Sequence, residues 1–203
     1  MNLPNKLTVA RIGLTFVMAV CLTFPGGLPF GKTIALAIFV VASITDYWDG
    51  RLARRHNIVT AFGELMDPLA DKILVSAAFI SFVALPKIVP AWVVITIICR
   101  EFLVTGLRLL AANRAKILPA GTIGKHKTLW QIIVIIVIMV GLALREDILP
   151  HLPPYAWVTA LADGFPRYFR VVTYALSSLT AILTVVSGAM YMWVNREIFV
   201  NDL

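Results

Sequence analysis

Six apolar stretches, each close to the length that crosses a bilayer, take up most of this sequence of 203 residues. They lie near residues 7–23, 33–49, 68–85, 90–111, 128–144 and 171–194. An α-helix needs about 20 predominantly apolar residues to cross the hydrocarbon core. With 60% hydrophobic and 14% charged residues and a mean hydropathy of +0.87, a water-soluble fold of this length could not bury its apolar surface. The sequence therefore predicts an all-α polytopic membrane protein with six transmembrane helices, forming one membrane-embedded domain over residues 1–203.

Basic residues indicate how these helices are oriented, because Lys and Arg near the ends of a span are retained in the cytoplasm. If both termini are cytoplasmic, twelve basic residues fall on that side: Lys6, Arg11, Arg51, Arg54, Arg55, Lys72, Arg108, Arg114, Lys116, Lys125, Lys127 and Arg196. Five fall on the other side: Lys32, Lys87, Arg145, Arg167 and Arg170. We therefore predict a multi-pass protein of the cell (inner) membrane with both termini in the cytoplasm. The net charge of +7 then describes a face suited to lipid headgroups and phosphates, and no motif indicates a nucleic-acid partner.

Acidic residues are concentrated at the cytoplasmic ends of the second and third spans. Ionisable groups within a span cost about 2.5 to 3.5 kcal/mol each on insertion scales, so they indicate a functional site. In the second span, four positions fall on one helical stripe at i, i+3, i+4 and i+7: Asp46, Asp49, Gly50 and Ala53. In the third span, Asp67 and Asp71 are spaced i and i+4. The sequence therefore predicts two carboxylate stripes at one membrane depth.

The two stripes are predicted to form a metal site. The short link between Arg54 and Gly63 makes the two helices antiparallel neighbours, so that the stripes can face each other. Four carboxylates in a small, poorly hydrated volume would repel one another unless cations lay between them. Oxygen ligands without clustered Cys or His favour Mg²⁺ or Mn²⁺, here as a pair of ions.

Small residues accompany the acidic stripes. Gly50, Ala53 and Gly63 would let helices pack closely, as is common in membranes, or let a flat group lie against the helix. Together with the four aspartates and Arg54, they favour a nucleotide-diphosphate site. In such a site metals meet the phosphates and the small residues admit the base.

These positions together resemble a known family signature. The pattern Asp46-x2-Asp49-Gly50-x2-Ala53-Arg54-x8-Gly63-x3-Asp67-x3-Asp71 is similar to the complete signature of the CDP-alcohol phosphotransferase family. Fixed positions with fixed gaps over this length are far more specific than a short motif. The resemblance implies a six-helix membrane protein that assembles as a homodimer.

Less specific patterns in the first two thirds of the chain narrow the resemblance to members that use sn-glycerol 3-phosphate as the acceptor. They are residues 4–11, residues 100–102 with 106–108, and residues 124–128 with Gln131. The resemblance implies transfer of the phosphatidyl group of CDP-diacylglycerol to the 1-hydroxyl of sn-glycerol 3-phosphate, with release of CMP, at the cytoplasmic boundary of the lipid bilayer. The aspartate signature does not separate this acceptor from inositol phosphate, serine or phosphatidylglycerol.

The resemblance also implies roles for individual residues. Asp46, Asp49 and Asp67 would bind the metals. Asp71 would be the general base for the acceptor hydroxyl, and it could also touch a metal. The residues that would line the CDP site are Asn5, Thr8, Gly50, Ala53, Arg54 and Gly63.

A phosphate dianion needs cations of its own in a carboxylate-rich pocket. Arg108, Lys125 and Lys127, near the cytoplasmic ends of spans four and five, are the candidates for binding the acceptor phosphate. The alternative is that they are only topological anchors. Arg100 lies deeper and next to Glu101, and we interpret the two as an internal ion pair that holds helices together.

Other interpretations are open at this stage. A cation transporter would place acidic groups near mid-membrane with a route across, whereas these aspartates lie at one face. A structural membrane scaffold is the remaining class. The proline-rich and aromatic segment 145–170 is predicted to form a loop or an interfacial helix that anchors the outer side.

Overall fold

The structure, a computed structural model, describes residues 3–24, 26–56, 61–86, 88–113 and 122–196. Side chains are described in these ranges except at 3–6, 46–56, 61–65, 67–68, 71, 109–110, 112–113, 122–126 and 156–157. The long elements are α1 (Leu3–Thr23), α2 (Gly31–His56), α3 (Ala61–Ala84), α4 (Ala91–Asn113), α5 (Thr122–Ala143) and α6 (Ala156–Val194). A π-helical turn (Leu144–Ile148) and a 3-10 turn (Leu149–His151) link α5 to α6. Over the described residues the predicted all-α class is confirmed.

Each predicted span falls on a different one of these helices. By length and composition, one segment of the described chain, Val158–Val194, is long and apolar enough to cross a membrane. Shorter apolar segments cover Leu7–Thr23, Gly31–Thr45 and Lys72–Ala84. The positions of the helices agree with the sequence, whereas the crossing of a bilayer by all six stays a prediction.

Helix α1 is central to the packing of the half of the bundle that contains the aspartates. It packs extensively on both α2 and α3, while α2 and α3 touch each other only slightly within the described residues. Helix α5 packs on α2 and α6, and α4 packs on α6 and α3. The apolar core contains Phe39, Phe79 and Phe82. The sequence predicts that α2 and α3 are antiparallel neighbours. In the described residues these two helices share only a small contact, because both pack mainly on α1.

The last helix begins earlier than the sequence predicts. The pattern of residues 145–170 favours a loop or an interfacial helix, whereas α6 begins at Ala156 and runs for 39 residues. Pro153 and Pro154 end the preceding turn, and the extended Tyr155 is the N-cap of α6. Pro166 lies inside the helix, where it removes one backbone hydrogen bond. The helix continues through this position, and the stacked rings of Phe165 and Phe169, 5.4 Å apart, span the turn.

Helix α6 buries polar side chains and exposes apolar ones. Its buried stripe recurs at spacings of four and three residues, with each member at most 5% exposed: Thr173, Ser177, Thr180, Thr184 and Ser187. In contrast, Val171, Ile182 and Val194 are 64%, 58% and 78% exposed. A helix on the surface of a soluble protein has the opposite arrangement, with its apolar stripe toward the core. Small and hydroxyl side chains at helix interfaces are typical of helices that pack within a bilayer.

A polar cluster ties the π-helical turn to the start of α2. Buried Asp147 accepts hydrogen bonds from the Thr33 backbone N–H at 2.7 Å and from the Thr33 hydroxyl at 2.8 Å. The ammonium of buried Lys32 donates to the Leu22 carbonyl and lies 3.5 Å from the Glu146 carboxylate. These bonds satisfy groups at the end of α1 and the start of α2 that have no partner within their own helices. The cluster fixes the end of the bundle away from the aspartates.

Candidate active site

The four aspartates lie on the C-terminal part of α2 and the N-terminal part of α3. Asp46 and Asp49 are within the continuous helix Gly31–His56, and Asp67 and Asp71 are within Ala61–Ala84. Because both segments are helical, the i, i+3 and i, i+4 spacings place each pair on one face of its helix. The side chains of all four lie outside the part of the structure that is described.

The donor set of these aspartates suits a hard divalent cation. Carboxylate oxygens are the ligands that Mg²⁺ and Mn²⁺ prefer, and each helix presents two of them within about one turn. Among the side chains that the structure does describe, no group of three or more His, Cys, Asp or Glu residues comes together. The described side chains therefore form no second candidate metal site beside the one predicted on α2 and α3.

The residues predicted to line the CDP site are distributed over α1 and the two helices that pack on it, α2 and α3. Gly50 and Ala53 continue the Asp46 stripe on α2, Arg54 follows Ala53 on the same helix, and Gly63 lies in the first turn of α3. Their side chains, and that of Asn5 on α1, lie outside the described part of the structure. Thr8 is described, and it is buried at 2% exposure.

Helix α1 places a buried cation beside the acidic helices. Its buried face contains Thr8, Arg11 and Thr15, at 2% exposure each, and continues through Met18 and Leu22. The extensive partners of α1 are α2 and α3, so this face packs against the two helices that contain the aspartates. The sequence counts Arg11 as a cytoplasmic basic residue and as the last position of the 4–11 pattern but predicts no site role for it, whereas the structure buries its side chain. A charge buried in this way needs opposite charge nearby.

Lys127 does not point into solvent as a topological anchor would. Its side chain is 3% exposed, and its ammonium contacts Oε1 of Glu101 on α4. Nη1 of Arg100 lies 3.5 Å from the same oxygen, and Nη2 of Arg100 donates to the Ser187 hydroxyl on α6 at 2.9 Å. The predicted Arg100–Glu101 ion pair is present, and it extends to α5 through Lys127.

Arg108 and Lys125, the other two candidates for the acceptor phosphate, differ in what the structure describes. Arg108 is exposed, and its guanidinium lies over the Tyr191 ring of α6, 5.6 Å from the ring centroid. Nε of Arg108 is 3.4 Å from the Tyr191 hydroxyl. Arg108 is two helical turns, about 10 Å, from Glu101 along α4. Lys125 lies on α5, and its side chain is outside the described part.

A second contact joins the group formed by Arg100, Glu101 and Lys127 to α3, the helix that contains Asp71. Lys72 immediately follows Asp71 on α3, and its ammonium contacts the hydroxyl of Thr105 on α4. The same hydroxyl donates to the backbone carbonyl of Glu101 at 2.7 Å. Helices α3, α4 and α5 are therefore linked by Lys72, Thr105, Glu101 and Lys127. The sequence predicts Lys72 only as a cytoplasmic basic residue and gives no signal for Thr105, although Lys72 follows directly on the family signature.

Comparison with known proteins agrees with the signature. A model of the family described as CDP-alcohol phosphatidyltransferase matches residues 1–184. The chain is 44% identical over 144 residues to the CDP-diacylglycerol–glycerol-3-phosphate 3-phosphatidyltransferase of Bacillus subtilis, covering 66% of this chain and 74% of the relative. It is 39% identical over 142 residues to the protein of the same name from Rickettsia bellii, covering 69% and 76%. It is 42% identical over 135 residues to the probable phosphatidylglycerophosphate synthase of Mycobacterium tuberculosis, covering 66% and 64%. The chain belongs to the CDP-alcohol phosphatidyltransferase family.

Proposed function

We propose that this protein transfers the phosphatidyl group of CDP-diacylglycerol to sn-glycerol 3-phosphate, giving phosphatidylglycerophosphate and CMP. The observation that supports this function most directly is its 44% identity over 144 residues to a relative named for that reaction. The complete aspartate signature on α2 and α3 supports the same reaction class. The choice of acceptor rests in addition on the cationic residues Arg108 of α4 and Lys125 and Lys127 of α5.

The donor binds where α1, α2 and α3 meet. Asp46, Asp49 and Asp67 would hold two divalent cations, Mg²⁺ or Mn²⁺, with Asp71 within reach of one of them. When bound, such ions polarise the attacked phosphorus and neutralise the charge that develops on the leaving CMP. Six residues would line the cytidine side of this site: Asn5, Thr8, Gly50, Ala53, Arg54 and Gly63.

Asp71 is the general base of the proposed reaction. Its carboxylate takes the proton of the acceptor's 1-hydroxyl as the hydroxyl oxygen attacks the β-phosphorus of the donor. The bond between this phosphorus and the oxygen of CMP breaks, and CMP leaves with the electron pair. Asp71 is one helical turn from Asp67, so one face of α3 serves both the donor and the acceptor.

Arg108, Lys125 and Lys127 would hold the phosphate of glycerol 3-phosphate. A charge-assisted contact to a phosphate contributes about 1.5 to 3 kcal/mol, and the acceptor is a dianion that must approach four carboxylates. The burial of Lys127 beside Glu101 supports this role over that of a topological anchor, because an anchor needs only solvent or headgroups around its charge.

We propose further that this single domain crosses the inner membrane six times, with both termini and the active site on the cytoplasmic side, and that two copies form a homodimer. The outward-facing apolar side chains support the bilayer as the surrounding medium. Phe16, Phe102 and Trp193 are 67%, 72% and 72% exposed, and large apolar surface of this kind is rare on soluble monomers.

The function is tested by incubating the purified protein with CDP-diacylglycerol and a panel of acceptors, and measuring CMP release. Glycerol 3-phosphate should support the fastest release, ahead of inositol phosphate, serine and phosphatidylglycerol. Faster release with another acceptor would keep the family and change the substrate. If the protein released no CMP but carried Mg²⁺ into liposomes, it would be a cation transporter rather than an enzyme.

A further inference from the structure

The surroundings of the Glu101–Lys127 ion pair are those of a ligand-binding site rather than of an ion pair that only holds two helices together. A structural polar cluster in a protein interior normally satisfies all its own groups. On the same two helices, two buried donors, Nε of Arg100 on α4 and Nε2 of Gln131 on α5, have no hydrogen-bond partner among the described residues. Gln131 is one turn from Lys127 on the same face of α5 and is 2% exposed. The helices that carry Glu101 and Lys127 therefore hold buried N–H donors that the Glu101 carboxylate does not satisfy, and an incoming anion or hydroxyl accepts from donors of this kind.

Glu101 is the residue that holds these cations in place. Its Oε1 contacts Lys127 and lies 3.5 Å from Arg100, so one carboxylate oxygen keeps two positive charges together. Without that carboxylate the two cations would repel each other in a region of low dielectric constant. Lysine is a point charge on a flexible stem with four carbons, so its ammonium would move away from the position in which the structure places it.

We infer that Glu101 is a positioning residue for the acceptor: it fixes the Lys127 ammonium where that ammonium meets the phosphate of glycerol 3-phosphate. The inference rests on the proposed function. Because Glu101 has already ordered Lys127, the acceptor does not have to restrict the lysine side chain when it binds. The Lys72–Thr105 contact links the Glu101 turn of α4 to the residue after Asp71. The proposed phosphate site is therefore joined to the turn of α3 that carries the proposed general base.

The test compares steady-state kinetics of the wild-type protein with those of Glu101→Gln, Lys127→Gln and the double variant. Glu101→Gln should raise the KM for glycerol 3-phosphate about 10-fold, which corresponds to 1.4 kcal/mol, with the KM for CDP-diacylglycerol changed less than about 2-fold. In the double variant the acceptor KM should equal that of Lys127→Gln alone, because Glu101 acts through Lys127. The matched control is Glu146→Gln, which breaks the ion pair of Glu146 with Lys32 at the other end of the bundle and should leave both KM values unchanged.

The possible results separate this inference from the proposed function. A wild-type protein that does not use glycerol 3-phosphate would overturn both. An active wild-type protein whose acceptor KM is unchanged or lower in Glu101→Gln would overturn the inference alone, as would additive effects of the two substitutions. If Glu101→Gln does not fold, Glu101→Asp replaces it: the charge is kept but its reach is shorter, and a rise in the acceptor KM is again required.

Discussion

Phe169 on α6 lies directly over Gly141 on α5, so that a Cβ built on Gly141 would stand 2.0 Å from Cε2 and 2.7 Å from Cδ2 of the ring. The ring is 7% exposed and stacks on Phe165, one turn away. It therefore has little room to retreat from an added methyl group. The absence of a side chain at position 141 allows the early part of α6 to pack on the end of α5.

We predict that Gly141→Ala destabilises the protein by about 1 to 3 kcal/mol, the usual cost of overpacking. The measurement is the thermal unfolding midpoint in detergent. Gly13→Ala on α1 is the control, because a Cβ there meets nothing within 4 Å. Helix propensity alone favours Ala over Gly in both variants, so equal changes of the midpoint would mean that the contact with Phe169 does not set the effect.

Replacing Asp147 by Ala should also lower stability, by about 1 to 3 kcal/mol. The substitution removes the shared acceptor of the Thr33 backbone N–H and hydroxyl, and leaves both donors at the start of α2 without it. The unfolding midpoint should fall, while the KM for each substrate stays the same because the cluster is at the far end of the bundle from the aspartates. Asp163→Ala, at an exposed position on α6, should leave the midpoint unchanged.

The metals should be essential for turnover. We expect activity to require Mg²⁺ or Mn²⁺ and to disappear in the presence of a chelator, because the proposed donor site relies on four aspartates, and carboxylates bind a pyrophosphate only through cations. Asp46→Asn, Asp49→Asn and Asp67→Asn should each abolish CMP release without changing the unfolding midpoint. Asp163→Asn should remain active. Full activity of the wild-type protein in chelator would contradict the metal mechanism.

The acceptor phosphate should depend on three cations. Replacing Arg108, Lys125 or Lys127 by Gln should raise the KM for glycerol 3-phosphate about 10-fold or more, since a charge-assisted contact of 1.5 to 3 kcal/mol is lost. The affinity for CDP-diacylglycerol should change little. Arg167→Gln, at an exposed position on α6, is the control for a general loss of positive charge. A wild-type acceptor KM in all three variants would exclude these residues from the acceptor site.

Asp71 and Asp67 should differ in what their loss affects. We predict that Asp71→Asn still binds CDP-diacylglycerol in the presence of Mg²⁺ but transfers at least about 100-fold more slowly, which is the lower end of what general-base catalysis supplies. Asp67→Asn should lose metal-dependent donor binding as well. A donor titration with and without metal, run beside the rate assay, separates the two. Equal loss of metal-dependent binding in both variants would make Asp71 chiefly a metal ligand.

Which residues share a helical face could be predicted from their spacing in the sequence alone. The positions of Asp46, Asp49, Asp67 and Asp71 on two helical faces follow from 3.6 residues per turn once the segments are helical. The existence of the helices follows from the length of the apolar runs. The start of α6 could not be predicted in this way, because a proline inside a helix usually breaks it. In the structure α6 runs through Pro166, and Phe165 and Phe169 stack across this turn.

The sequence by itself determined the helical class and the family signature, because each depends on residues that are close together along the chain. The tertiary structure decided which helices are neighbours: α1 packs on both acidic helices and buries Arg11 against them, and Lys127 on α5 meets Glu101 on α4. Apolar helices of similar composition can pack in many arrangements of comparable energy. The choice among them is made by a few polar contacts and by small residues such as Gly141, whose partners lie far away in the sequence.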